Sequence, residues 1–306
     1  MSAPSSLAAA PRGGARLVVL GVAAALAVAL TARHVLLADA DGDGVADRAD
    51  ACADTPPGRP VDARGCCAAA RVFAGAVAAL RAADAPAMGV GEAWMLQRLA
   101  AQRPDPDLRA LVAATERRLA HHAAARLLRA DAAPVPLPED PGRGIARLAM
   151  YVLAPAGAPP QRALAFIDDF TATPATGYVL THQLLVLEWA DGGGLAVPEA
   201  VAARRAGLLE RIAAEQAADR DFSDLFAERA ALLLAFADPD RREADRWVDV
   251  IAAAAPADGR WMSRRSTITY DGQTGSANHP WVHTTGFVAA ASGFYLQRGA
   301  SAPPPH

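Results

Sequence analysis

Thr176-Gly177-Tyr178-Val179 and Thr285-Gly286-Phe287-Val288 are two related stretches that stand 109 residues apart and lead into apolar runs. In each run the apolar residues recur at the three- and four-residue spacing of a helix, so each stretch predicts the start of a helix. Self-similarity at a distance is the sequence signature of a repeated structural unit. The echo therefore favours helices arranged in repeated hairpins.

The same helical spacing extends from Ala68 to Gln297, with interruptions at Pro, Gly and Asp and without a convincing alternating strand. The predicted helices lie near residues 68–83, 90–101, 107–129, 145–153, 161–170, 178–190, 198–217, 221–236, 241–254 and 284–297. A Pro-rich stretch at 134–138 divides the first three helices from the rest. Three helices alone would make a small, poorly buried unit, so we expect one all-α domain over residues 67–298, followed by a disordered tail over 299–306.

The composition excludes one class of partner. The chain has 306 residues, a formal net charge of -3 and a pI near 6.2, and no basic cluster is interleaved with aromatic residues. Nucleic-acid binding is therefore not expected.

The first 38 residues predict a membrane-targeting segment. The run from Leu17 to Ala32 is almost entirely apolar, Arg12 and Arg16 precede it, and acidic residues begin only at Asp39. This charge asymmetry predicts that the N-terminus stays inside and the remainder lies outside, in the periplasm or at the cell surface. We favour an uncleaved signal anchor over a cleaved signal peptide. A cell-envelope ligand or protein is then an available partner, besides the membrane itself.

Residues 39–50 read Asp-Ala-Asp-Gly-Asp-Gly-Val-Ala-Asp-Arg-Ala-Asp and predict a calcium-binding loop. Calcium takes six to eight oxygen ligands, which alternate aspartates on a tight turn supply, and Gly44 at the sixth position permits the sharp bend. The predicted ligands are the side chains of Asp39, Asp41, Asp43, Asp47 and Asp50 and the backbone carbonyl of Val45.

The three cysteines, Cys52, Cys66 and Cys67, lie close together directly after this loop. A Cys52–Cys66 disulfide would close a short loop and stabilise it by about 3 kcal/mol in the chain-entropy model, leaving Cys67 over. The run from Asp39 to Cys52 resembles the thrombospondin type 3 repeat, D-x-D-x-D-G-x-x-D-x-x-D-x-C, at every fixed position.

The continuation to Cys66 is similar to bacterial linkers that precede peptidoglycan-binding domains of the outer-membrane protein A family. This resemblance implies calcium and a stiff spacer over residues 39–66, and implies nothing about the helical domain. Because Asp, Gly and Pro offer little apolar surface for docking, we expect the spacer and the helical domain to be energetically separable.

A second resemblance concerns the helical domain. The order Asp258-Gly259-Arg260-Trp261, loop, His283-Thr284-Thr285 resembles the repeats of α/α-toroid proteins of the terpene cyclase and prenyltransferase kind. Residues 178–182, followed by Asp191-Gly192-Gly193, are also similar to helical toroids of bacterial biosynthetic operons. The expected domain is therefore a helical-hairpin repeat or an α/α-toroid, with a generic bundle or solenoid as the alternative.

In such toroids the N-terminal ends of the inner helices ring a central cavity, which makes His182, His279 and His283 candidates for a site. A zinc pair at His279 and His283 is disfavoured because Pro280 intervenes and no glutamate follows His279. Asp168 and Asp169 could join His182 across a hairpin as an acid–base pair, with a surface ion pair to an arginine as the alternative.

Two functions follow from these patterns. The sequence holds no complete catalytic constellation, which favours a helical domain that binds a ligand or partner without catalysis. The rival is a toroid enzyme that acts on a glycan or isoprenoid-like substrate through Asp168 or Asp169, His182 and His283. Convergence of these side chains in one cavity favours the enzyme. A long polar loop over residues 263–278 is a further candidate for a functional element.

Overall fold

A computed structural model describes residues 38–52, 55–56, 58–83, 88–120, 125–129, 160–192, 195–262, 266–270, 273–277 and 281–300. The predicted membrane segment, the predicted helix at 145–153, His279 and residues 301–306 of the expected tail lie outside these ranges. Among the helices that the structure describes, none is both long and apolar enough to cross a membrane.

The described chain is mostly helical, as the sequence predicts. In chain order the elements are α1 (Ala68–Ala82), α2 (Val90–Gln102), α3 (Pro106–Arg118), α4 (Ala125–Leu128), α5 (Pro160–Ala172), β1 (Ala175–Thr176), α6 (Tyr178–Gly192), α7 (Glu199–Ala202), α8 (Arg204–Ala218), α9 (Asp224–Phe236), α10 (Arg241–Ala253), β2 (Ser266–Tyr270), β3 (Gln273–Ala277) and α11 (Trp281–Ala300). Two predicted helices are each divided: 107–129 into α3 and α4, and 198–217 into α7 and α8.

The inner helices of the domain are α6, α9 and α11, together with the N-terminal half of α2. They are apolar around nearly their whole circumference, which is the pattern of a buried helix. Helix α9, for example, is buried from Asp224 to Leu234 without a break. Helix α11 lies at the centre and contacts α1, α2 and α9.

The outer helices bury only one face. In α10 the buried residues are Ala244, Trp247, Val248 and Ile251, which recur every three or four positions and form a single stripe. Asp240 begins this helix as a cap, because its carboxylate accepts a hydrogen bond from the backbone N–H of Glu243. Helix α10 packs its apolar stripe against α1 and α11.

A small three-stranded antiparallel sheet, in the order β1-β2-β3, accompanies the helices of the mostly helical domain. Strands β2 and β3 lie in the segment predicted as a polar loop. Their signal is local: β2 reads Ser-Thr-Ile-Thr-Tyr, rich in β-branched residues, and the two residues between the strands are Asp271-Gly272, a hairpin dipeptide. Because β1 directly precedes α6 and β2 contacts α6, the sheet lies at the N-terminal end of that helix.

The echoed stretches differ in their place on the helices. Gly177 has a φ of 61° and lies directly before α6, whereas α11 begins at Trp281, so Gly286 falls inside the helix. A Cβ atom at Gly286 would lie 2.9 Å from the Cβ of Glu92 on α2. The first glycine serves a turn, and the second permits a close approach of two inner helices.

The spacer, residues 39–66, carries the predicted Cys52–Cys66 disulfide. It also packs on the helical domain, which differs from the expectation that it offers little surface for docking. Arg59 forms ion pairs with Asp245 and Asp249 of α10. At the end of α11, a Cβ atom at Gly299 would lie 2.4 Å from Pro56, so the two segments are in close contact. Besides Arg59 and Pro56, the spacer contributes Cys66 to the hydrophobic core, and Cys52 and Val61 pack against that core.

Candidate functional site

The first turns of four helices meet inside the domain and bring together a group of titratable side chains. We call this group the acid–histidine cluster; its members are Glu92 on α2, Tyr178 and His182 on α6, Asp224 and Glu228 on α9, and His283 on α11. The N-terminal end of a helix carries a partial positive charge, which favours carboxylates placed there. The electrostatic potential of these helix ends therefore reduces the cost of burying the three acids.

His283 lies at the centre of the cluster. Its Nδ1 is hydrogen-bonded to the Glu92 carboxylate. Its Nε2 is 3.5 Å from Oδ2 of Asp224 and 3.6 Å from Oε2 of Glu228. Both ring nitrogens thus face carboxylate oxygens, an arrangement that suits a protonated ring with two N–H donors.

Electrostatics support a charged His283. Burial by itself lowers the pKa of the imidazole, but the charge and hydrogen bond of Glu92, the hydrogen bond of Glu228 and the charge of Asp224 outweigh it and raise the pKa to about 11. The same contacts act on the acids. Burial tends to raise the pKa of Glu92 and of Glu228, and His283 overcomes this and holds both below their usual range.

Asp224 behaves in the opposite way. Burial raises its pKa, and neither the charge of His283 nor the hydrogen bond that the Tyr178 hydroxyl donates to Oδ2 cancels this effect. Its other oxygen, Oδ1, is buried without a hydrogen bond among the described residues. The cluster therefore combines two carboxylates that are held ionised with one that retains its proton more readily.

Only the histidines reach toward solvent. The side chains of His182 and His283 are 16% and 12% exposed, whereas those of Asp224 and Glu228 are fully buried. Nε2 of His182 lies 3.8 Å from Oε1 of Glu228, which also accepts a hydrogen bond from the Thr181 hydroxyl. The two imidazoles are therefore the most exposed members of the cluster.

The structure brings together only part of the predicted site. His182 and His283 share the cluster, and the ring of Tyr178 lies 6.3 Å and 6.5 Å from their respective centroids. Asp168 and Asp169 are exposed on the outer helix α5, where Asp168 forms an ion pair of 2.7 Å with Arg204. They stand apart from the histidines because α5 turns its polar face outward.

The three acids of the cluster were not predicted from the sequence. A signal for two of them exists: Asp224 and Glu228 are four residues apart in a segment that is otherwise mostly apolar, which places two acids on one face of a buried helix. Glu92 stands alone between glycine and alanine, and nothing in its neighbourhood marks it.

The predicted calcium loop has its own geometry. Oxygen atoms of Asp39, Asp41 and Asp43 lie within 4.8 Å of one another. Gly42 and Gly44 take φ values of 71° and 93°, and their N–H groups donate to the Asp39 carboxylate, which tightens the turn. The group is a set of hard oxygen donors, the kind that calcium takes.

The remaining predicted ligands surround this trio less closely. Oδ1 of Asp47 accepts a hydrogen bond of 2.8 Å from the N–H of Ala40. Asp50 and Asp43 both face Gly65: a Cβ atom there would lie 2.1 Å from Oδ1 of Asp50 and 2.9 Å from Oδ2 of Asp43. Burial, with the charges of Asp43 and Asp50, raises the pKa of Asp41. A bound cation would relieve this repulsion.

Comparison of the chain with protein-family models, curated proteins and solved structures gave no match. The resemblances to thrombospondin type 3 repeats and to α/α-toroids therefore stay predictions from the sequence. The acid–histidine cluster and the loop are therefore the features of this chain that indicate a function.

Proposed function

We propose that the helical domain is an enzyme that performs acid–base chemistry at the histidine edges of the acid–histidine cluster. The observation that carries this proposal is a set of neighbouring buried groups whose pKa values are displaced in opposite directions, Asp224 upward and Glu228 downward. Burial of an ion costs several kcal/mol, and such displaced pairs are found where enzymes assign acid and base roles.

Each group has a role in this proposal. His182 is the base that takes a proton from the substrate or from water, and Glu228 orients its ring. His283, held protonated by Glu92, supplies a fixed positive charge that stabilises negative charge developing on the substrate. Asp224, whose pKa is raised by burial, is the carboxyl group that holds a proton most readily, and the Tyr178 hydroxyl fixes its position. The substrate classes are a glycan or an isoprenoid-like molecule, which the toroid resemblance implies.

The competing function is ligand binding without catalysis. A mass-spectrometric assay distinguishes the two: the full chain is incubated separately with cell-envelope glycan fragments and with polyprenyl diphosphates, and conversion is measured. We expect conversion of one class, and its loss in His182→Gln and Glu228→Gln. The exposed Asp168→Asn is the matched control and should convert as the parent does. Stabilisation of the protein by a compound that is not converted would favour the binding function.

We also propose that residues 39–50 bind one calcium ion and that the N-terminal segment tethers the domain outside the cytoplasm. The converging oxygens of Asp39, Asp41 and Asp43 support the calcium site. The charge asymmetry of the sequence around residues 17–32 supports the tether. Calcium would then order the spacer between the membrane and the helical domain.

A further inference from the structure

A cavity of about 580 Å³ lies between the start of α9 and the end of α10. Three segments form its walls: the connection between α8 and α9, the last turn of α10, and the residues that follow the Asp258-Gly259 turn. We call it the Trp261 pocket. Its volume falls in the range of about 300–1,000 Å³ that is usual for small-molecule sites.

The floor of the Trp261 pocket is apolar and fixed. Trp261 is 2% exposed, its backbone N–H donates to the Thr285 hydroxyl, and its indole N–H donates to the carbonyl of Ile251. Phe222 and Met262 extend this floor toward solvent. Met262 is 66% exposed and is the one large hydrophobic side chain that the described part of the chain leaves open.

The described lining of the pocket carries more positive than negative charge. Arg220 and Arg260 both line it, and among the described residues neither forms an ion pair. Arg260 instead lies over the Trp281 ring, 5.1 Å from its centroid, which holds the guanidinium in place. Asp221 is the acidic residue of the lining, so two positive charges face one negative charge.

Two nearby arginines form hydrogen bonds or ion pairs with neighbouring residues. Arg246 donates to the backbone carbonyls of Asp219 and Gln216, and Arg229 pairs with Glu215 and Asp219. Arg220 and Arg260 both line the cavity and differ from them in forming no ion pair among the described residues. A planar guanidinium favours carboxylate, sulfonate or phosphate oxygens.

We propose that the Trp261 pocket binds a small amphipathic anion. Its apolar body lies on Trp261, Phe222 and Met262, and its anionic group lies between Arg220 and Arg260. The pocket is connected to the cluster through the chain, since Phe222 stands two residues before Asp224 and Trp261 is hydrogen-bonded to Thr285, two residues after His283. Binding here does not depend on the proposed catalysis, so the two proposals can fail separately.

The test uses a fluorescent probe of this chemistry, 8-anilinonaphthalene-1-sulfonate, and its neutral analogue N-phenyl-1-naphthylamine. We expect the sulfonate to bind the full chain at one saturable site, about tenfold or more tighter than the neutral analogue, because a hydrogen bond to a charged group contributes at least that ratio. In Arg220→Gln/Arg260→Gln this preference should disappear. Arg242→Gln, at an exposed arginine of α10 that does not line the Trp261 pocket, should keep it.

Two further arms complete the test. Met262→Asp should weaken sulfonate binding because the new carboxylate repels the sulfonate. Met262 is exposed, so we expect the variant to fold like the parent. Circular dichroism of the two proteins checks this. Displacement of the probe by decanoate would support a small amphipathic anion as the ligand of the pocket. Displacement by phosphatidylglycerol vesicles alone would overturn the proposal and indicate a membrane contact instead. Equal affinity for the two probes, or unchanged affinity in the double arginine variant, would also overturn the proposal.

Discussion

Glu92 and His283 are joined by a hydrogen bond between α2 and α11, although they lie 191 residues apart in the sequence. Both side chains are largely withdrawn from water, with exposures of 6% and 12%. Each supplies the charge that makes burial of the other tolerable. The pair therefore connects the first and last of the inner helices electrostatically as well as by packing.

Replacement of His283 by glutamine should destabilise the protein strongly. Glu92 and Glu228 would remain buried with their cation removed, and breaking one side of a buried pair typically costs about 3–5 kcal/mol. Urea unfolding of the parent and the variant measures the loss. The double variant Glu92→Gln/His283→Gln should recover part of it, as a double-mutant cycle reports. A loss below about 1 kcal/mol would mean that the pair contributes as little as an exposed ion pair does.

The free energy of unfolding should decrease as the pH rises above 6.5. The pKa of His283 is about 11 in the folded protein and is ordinarily 6.5, so the fold binds this proton more tightly than the unfolded chain does. The stabilisation is complete below pH 6.5, declines above it, and is lost as pH passes about 11. The slope is at most about 1.4 kcal/mol per pH unit for one proton. Urea unfolding at pH 6 to 10 should show a decline that His283→Gln flattens; equal slopes would contradict the assignment.

The helices were predictable because their signal is local. The stripe of Trp247, Val248 and Ile251 in α10 follows helical spacing, and the end residues differ little from the prediction. The site was predictable only in part. His182 and His283 were found from the expected place of inner-helix ends, whereas Glu92 meets them through a tertiary contact that leaves no mark in its own segment. The spacing of apolar residues can be read from a single sequence, whereas contacts between residues far apart in the chain cannot.

Replacement of Gly65 by alanine should weaken calcium binding. Gly65 and Gly58 both have a φ of 75°, so alanine is strained at either position by about 1–2 kcal/mol. Only at Gly65 would the new methyl group also collide with Asp50 and Asp43. Calorimetric titration up to about millimolar calcium, the range of extracellular modules, should give a clear loss of affinity for Gly65→Ala and a smaller one for Gly58→Ala. Equal affinities in both variants would remove Asp50 and Asp43 from the site.

Chelation of calcium should lower the melting temperature of the helices, because the spacer contacts α10 and α11. A ligand at a hundred times its dissociation constant stabilises the state that binds it by about 2.7 kcal/mol. Arg59 carries much of this coupling through Asp245 and Asp249, so Arg59→Ala should shrink the calcium-dependent shift. Arg81→Ala is the matched control, since Arg81 on α1 pairs with Asp107 on α3 and both residues belong to the helical domain. If chelation leaves the melting temperature of the parent unchanged, the spacer and the helical domain are energetically separable, as the composition suggests.

The central position of α11 has a consequence for how the protein is made. This helix leaves the ribosome after all the other described helices, yet α1, α2 and α9 all pack against it. Until His283 arrives, the acids of α2 and α9 have no cation to accompany them into the interior. A partly synthesised chain is therefore kept from closing prematurely. For a polypeptide that we propose is exported, such delay would keep it threadable through a translocation channel until its last helix has been made.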